Sequence, residues 1–154
     1  IMATDISPYR REQAGLFGAD AVADAREDIP SWVRQANDGR PADLVIVCTG
    51  APAAFDQSLR CVDRGGTILC FATTEPGINL SVPVNEFWRN EIRLMPSYGN
   101  SPRDAVAAIE LLRLGRLPVE GMITHRLPLT EAQRGFQLVV AGEGALKVIL
   151  LPHG

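Results

Sequence analysis

The chain has 154 residues, a formal net charge of −3 and a hydrophobic fraction of 46%. That length fits one ordinary domain or pieces of two, with enough apolar material for a buried core. The slightly acidic balance argues against nucleic acid or an anionic membrane surface as partner, and no apolar run approaches the roughly 18 residues that a membrane-spanning helix needs.

In chain order, Ile1 to Thr4 read as the end of a buried strand, followed by Asp5. Ser7 can cap the next helix with its hydroxyl, and Pro8 suits a first helical position. That helix runs to about Phe17, where Gly18 is a natural left-handed stop. Ala21 to Ala23 make a short strand, and Asp28 and Pro30 open a helix through Ala36. After the turn "NDGRPAD" comes "LVIVC", Leu44 to Cys48. This run is continuously apolar and β-rich, so both of its faces are expected to be covered, as in a parallel sheet.

A helix is expected from about Ala51 to Val62, a turn at "DRGG", and a second buried strand from Thr67 to Phe71. The segment "ATTEPGINLSVPVNEF" reads as a long polar loop, and Glu91 to Met95 as a mixed strand with Glu91 and Arg93 on a solvated side. Ser101 and Pro102 start a helix that buries Val106, Ile109, Leu111 and Leu112 and stops near Gly115. The tail reads as a strand at Ile123 to Leu127, a helix from Thr130 to about Ala141 and a last strand, Leu146 to Leu151. Strand alternating with helix is the pattern of a doubly wound α/β sheet, which binds ligands at the carboxyl ends of its strands.

Within that frame Asp5 has a definite use. A carboxylate at the end of a second strand can accept hydrogen bonds from both hydroxyls of an adenosine ribose and repel a 2′-phosphate, selecting NAD over NADP. The matching glycine fingerprint belongs about 20 residues earlier, so the chain reads as starting after its phosphate loop. Asp5 can equally be a turn acid before Ser7, and this stretch leaves both readings open. Cys48, Cys61 and Cys70 are an odd number in apolar settings. Their spacing fits neither a disulfide framework nor a zinc site, which suits buried thiols in a reducing cytoplasm, and no segment has the form of a signal peptide.

The ordered set "DLVIVCTG", "DRGGTILCFA", "MITHRLPL" and "GALKVIL" resembles the zinc-dependent medium-chain alcohol dehydrogenases, in the branch of the sorbitol (polyol) dehydrogenases. The resemblance covers essentially the whole chain, which corresponds to about the C-terminal half of such an enzyme. It implies a Rossmann-type doubly wound parallel sheet, truncated at its N-terminus, in residues 1–98. A segment that packs on the catalytic domain follows in residues 99–154.

Carried over residue by residue, the resemblance implies that Asp5 binds the adenosine ribose and that Arg10 lies beside ribose and adenine. Thr49, Gly50 and Ala51 pass under the adenosine. Cys70, Phe71, Ala72 and Thr73 meet the nicotinamide carboxamide through backbone groups, with a second set of contacts from Ser97, Tyr98 and Gly99. Lys147 reaches the pyrophosphate. The bland readings are a solvated helix charge for Arg10, a strand-ending glycine for Gly50 and a surface lysine for Lys147. His125 reads as structural.

No catalytic residue and no metal ligand is expected in this chain. The zinc ligands of the family come from the N-terminal half. Where sorbitol dehydrogenases carry an Arg-Tyr pair that contacts the polyol, this sequence has Gly99 and Asn100, which argues against a simple hexitol.

The implied function is thus the cofactor-binding portion of an NAD-dependent, zinc-dependent dehydrogenase acting on a secondary alcohol or polyol, as a homodimer or homotetramer. Three rivals remain: a zinc-free NADPH quinone or enone reductase of the same superfamily, an S-adenosylmethionine methyltransferase, and a non-catalytic nucleotide-binding homologue.

Overall fold

A computed structural model describes residues 1–142 and 144–153. Its elements are β1 (Met2–Asp5), α1 (Pro8–Leu16), β2 (Ala21–Asp24), α2 (Ile29–Ala36), β3 (Ala42–Val47), α3 (Pro52–Cys61), β4 (Val62–Cys70), α4 (Val84–Asn90), β5 (Arg93–Pro96), α5 (Pro102–Arg113), β6 (Ile123–Pro128), α6 (Ala132–Ala141) and β7 (Lys147–Leu151). Two short 3-10 turns flank β6, at Val119–Met122 and Leu129–Glu131. The strands form three sheets in the orders β1-β2, β3-β4-β5 and β6-β7. The pairings β3–β4, β4–β5 and β6–β7 are all parallel.

The chain divides into two compact units, one of residues 1, 3–22 and 100–153, the other of residue 2 and residues 23–99. In the first, α1 starts as its sequence dictates. Ser7 accepts from the Arg10 amide at 3.4 Å, and Pro8 takes the first turn, where a missing N–H costs nothing. The helix stops at Phe17, and Gly18 follows at φ +101°. Ser101 and Asp104 form a reciprocal capping box at the head of α5. The α6 helix lies on the β6–β7 pair through Gly135, where an added Cβ would stand 3.3 Å from both Leu150 and Val148.

The second unit holds the three-stranded sheet and two apolar clusters. One gathers Ala23, Ile29, Val33 and Cys61, and the other Val47, Val62 and Ile68. Val45 packs against both clusters. Ile68, on the central strand, is wholly buried.

Several expectations need correcting. Ile1 to Thr4 are not a buried strand end, since Ile1 and Thr4 are exposed, and of the three cysteines only Cys61 is buried, with Cys48 exposed. "DRGG" is not a turn between elements but lies inside β4. The β3–β4 register jumps from Ala42↔Val62 to Leu44↔Thr67, so these residues form a bulge, with Gly65 at φ +70°. The loop after β4 contains α4, and Glu91 ends that helix in the left-handed region at φ 55° instead of opening a strand. Two faces of β3 are not both covered, since Leu44 and Ile46 are about half exposed. Finally, Val106, Ile109, Leu111 and Leu112 of α5 are exposed. Their apolar periodicity is real, but nothing in the described residues buries it.

Candidate functional site

In the second unit, the turns that follow β3 and β4 converge at the carboxyl ends of these two neighbouring strands. Thr49, Gly50, Ala51, Cys70 and Ala72 line one small cavity of about 30 Å³, together with Val47, Phe55, Thr73, Thr74 and Leu80. This is where a parallel sheet presents backbone groups to a ligand. Six of the residues singled out from the sequence, Thr73 among them, therefore meet in one place.

The meeting is built from backbone. The Val47 carbonyl accepts from both the Phe71 and the Ala72 amides, each at 3.0 Å, so the start of the second turn is pinned to the end of β3. The Cys70 carbonyl accepts from the Ser97 amide at 3.0 Å and so carries the β4–β5 ladder one step beyond Pro96. In the first turn the Ala51 amide donates to the Thr49 hydroxyl at 3.3 Å. Burial pushes the Cys70 thiol up, so it is a neutral wall of the cavity.

The other residues at this end are open. Phe71 is 64% exposed and Tyr98 fully so. Ser97 and Gly99 are exposed as well, and Gly99 turns at φ +70°. Val47, Phe55, Thr74 and Leu80 were not singled out from the sequence. Val47 and Phe55 carry no signal there beyond an apolar strand end and a helix interior. Thr74 and Leu80 lie in a stretch that reads only as polar loop.

The first unit holds the remaining candidates. Asp5 closes β1, and its Oδ1 accepts from the Ser7 amide at 2.8 Å. Its Oδ2 lies 4.0 Å from an Arg10 guanidinium nitrogen. The Arg11 guanidinium donates to the backbone carbonyls of Asp5 at 2.8 Å and Ile6 at 3.1 Å. Asp5 is thus held in a turn with Ser7, as one reading of the sequence required. The bond leaves further lone pairs on both oxygens, so the turn does not use up the carboxylate.

Arg10 also lies near the end of α6, 3.6 Å from where a Gly142 Cβ would stand. Lys147 begins β7 with its side chain exposed, and its carbonyl accepts from the Thr124 hydroxyl at 3.2 Å. His125 Nδ1 lies 3.0 Å from the same hydroxyl.

Among the described residues, no group of three or more His, Cys, Asp or Glu side chains is placed to hold a metal ion. No helix among them is long and apolar enough to cross a membrane.

Comparison with known proteins gives a consistent answer. Residues 1–113 match the family model described as zinc-binding dehydrogenase. The chain is 30% identical over 155 residues to an L-threonine 3-dehydrogenase of Caldanaerobacter subterraneus subsp. tengcongensis, covering 99% of this chain and 44% of that protein. It is 28% identical over 155 residues to an erythritol/L-threitol dehydrogenase of Mycolicibacterium smegmatis, covering 99% and 42%. The solved alcohol dehydrogenase TADH from Thermus sp. ATN1 superposes with a TM-score of 0.87 at 30% identity, over 98% of this chain and 43% of that one. The chain therefore spans a little over two-fifths of the length of these relatives, and within that span it has the parallel α/β architecture of a Rossmann-type domain. It belongs to the zinc-binding dehydrogenase family.

Proposed function

We propose that this chain is the cofactor-binding portion of a zinc-dependent NAD(H) oxidoreductase that interconverts a secondary alcohol or polyol and a ketone. The observation that carries the reading is the convergence of the turns after β3 and β4 on one cavity at the carboxyl ends of parallel strands. Relatives named for threonine, erythritol or threitol, and alcohol support the substrate class.

In this reading Asp5 accepts the two ribose hydroxyls, with Arg10 beside the ribose and adenine. Thr49, Gly50 and Ala51 lie under the adenosine, and Lys147 neutralises the pyrophosphate. Residues Cys70 to Thr73 and Ser97 to Gly99 orient the carboxamide. The Phe71 and Ala72 amides already serve Val47, so that turn would offer carbonyls to the carboxamide NH₂. When bound, the dinucleotide would supply the hydride acceptor, and these residues would set its position. Zinc, which this chain's described residues are not placed to hold, would supply polarisation of the alcohol oxygen.

By role, residues 1–98 form the nucleotide-binding part and residues 99–154 the segment that completes the catalytic domain, and this chain alone is inactive. The three cysteines are free thiols, which suits a cytoplasmic enzyme. β5 pairs with β4 along one edge and exposes Leu94 and Met95, which makes it the edge for a two-fold contact in a dimer or tetramer. The test is turnover of secondary alcohols and polyols by the full-length protein, with either cofactor, before and after zinc removal. Activity that survives complete zinc removal and prefers NADPH would favour the quinone reductase reading instead.

A further inference from the structure

Gly50 stands where no other residue fits, and the reason is not its backbone angles. It is absent from the positive-φ glycines, so an L-residue could adopt its conformation. The obstacle is space. A Cβ built on Gly50 would lie 2.5 Å from the Thr73 carbonyl oxygen, 3.4 Å from the Thr73 carbonyl carbon and 3.6 Å from the Thr74 Cα. All three are backbone atoms, which cannot swing aside as the tip of a side chain can.

Gly50 therefore touches the protein's own second turn. Together with the two amides donated to Val47, this contact fixes the first three residues after β4 at three successive points. Beyond them the loop's bonds to other described residues are local, from the Thr74 hydroxyl to the Ile78 carbonyl at 3.2 Å and from the Ile78 amide to the Glu75 carbonyl at 3.2 Å.

We propose that Gly50 is a positioning residue. It seats the Thr73 carbonyl against the end of β3 and so sets where residues 71–74 present their backbone to the nicotinamide half of the cofactor. Its missing side chain serves this contact, and the adenosine that Gly50 lies under in the reading above does not need that space. This deepens the function proposed above and rests on it. Real Cβ atoms essentially never come within 3.0 Å of such an atom, so Gly50→Ala forces the carbonyl outward. A displacement approaching 1 Å in a positioning element can cost up to about a hundredfold in rate.

The experiment compares two ligands on the full-length protein. ADP-ribose reports the adenosine half, and NAD reports both halves. Gly50→Ala is expected to leave ADP-ribose affinity within about twofold and to weaken NAD binding and kcat/KM by about tenfold or more. Equal weakening of both ligands would mean that Gly50 serves approach of the adenosine, and would overturn the proposal. So would a variant that binds both as wild type does. Wild-type protein that binds neither ligand would overturn the cofactor reading and this one together, so the two failures are told apart.

A second readout needs no turnover. In a Cys48→Ser background, Gly50→Ala should speed alkylation of Cys70, which lines the same cavity, and an unchanged rate would count against the proposal. Should the variant fail to fold, hydrogen exchange in wild type decides. Slow exchange of the Phe71 and Ala72 amides without nucleotide supports a turn already seated, whereas free exchange until NAD binds overturns it.

Discussion

On the proposed reading of Asp5 as the ribose acceptor, replacing it by serine should make the site permissive for NADP. The carboxylate closes β1 and is fastened by the 2.8 Å bond from the Ser7 amide to Oδ1, so it cannot swing away from a ligand without breaking its own turn. Two ribose hydroxyls on a charged acceptor contribute roughly 1.5–3 kcal/mol each. A 2′-phosphate would remove one of these bonds and place like charges together. Opposing this is Arg10, at 4.0 Å from Oδ2 with 46% of its side chain exposed. A solvated ion pair of this kind contributes about 0–1 kcal/mol, too little to reverse the balance. The net preference for NAD should therefore be about a hundredfold or more, at about tenfold per 1.4 kcal/mol. In Asp5→Ser, NAD affinity falls and Arg10 is left to attract a phosphate, so the NAD/NADP ratio collapses toward one. The assay is kcat/KM for both cofactors in wild-type and variant full-length protein, with a melting curve for each, since the Ser7 amide also loses its acceptor. A wild type that uses both cofactors equally, or a ratio that the substitution leaves unmoved, would reduce Asp5 to a turn residue.

Ile68→Ala empties a wholly buried position on the central strand and should cost about 2–5 kcal/mol, read as a lower denaturation midpoint with an unchanged m-value. Ser101→Ala removes the cap of α5 and should cost about 1 kcal/mol. Hydrogen bonds from Ser101 hold the Asp104 carboxyl below its usual value. The stability this contributes is complete above the unfolded value and is lost as pH falls through the lowered one, so the variant should show less acid-dependent loss than wild type. Cys48 is exposed whereas Cys61 is buried, and burial pushes the Cys61 thiol up more than Arg60 and Arg34 pull it down. Peptide mapping after brief alkylation should find Cys48 modified first and Cys61 only on unfolding.

The elements that the sequence made legible are those whose local chemistry and tertiary packing agree. Ser7-Pro8, Asp28-Pro30 and Ser101-Pro102 each announce a helix start, and each helix begins there. The apolar runs before Thr49 and Phe71 are adjacent parallel strands. The element that escaped notice was α4. Its seven residues lack a side-chain cap and follow a stretch of proline, glycine and polar residues, so neither periodicity nor start signals mark it. "DRGG" shows a different failure. A bulge inside a paired strand uses the same left-handed glycine as a turn between strands, and only the register separates the two.

The site was legible in the same uneven way. A strand end followed by a helix start is visible in one dimension, so Thr49 to Ala51 and Cys70 to Ala72 could be picked out singly. What could not be seen is that the two turns touch. The sequence offered two readings of Gly50, a strand-ending glycine or close approach of a ligand. The structure supplies a third, the Thr73 carbonyl at 2.5 Å from a Cβ that is not there. Asp5 carries the complementary lesson. Its two readings, turn acid and ribose acceptor, are not rivals, because the turn bond uses one of several lone pairs and at the same time stops the carboxylate from rotating. A hydrogen bond that satisfies local structure also preorganises the acceptor, which lowers the ordering cost when a ligand arrives. A residue type that suits both the local turn and the ligand is therefore what such a strand end requires.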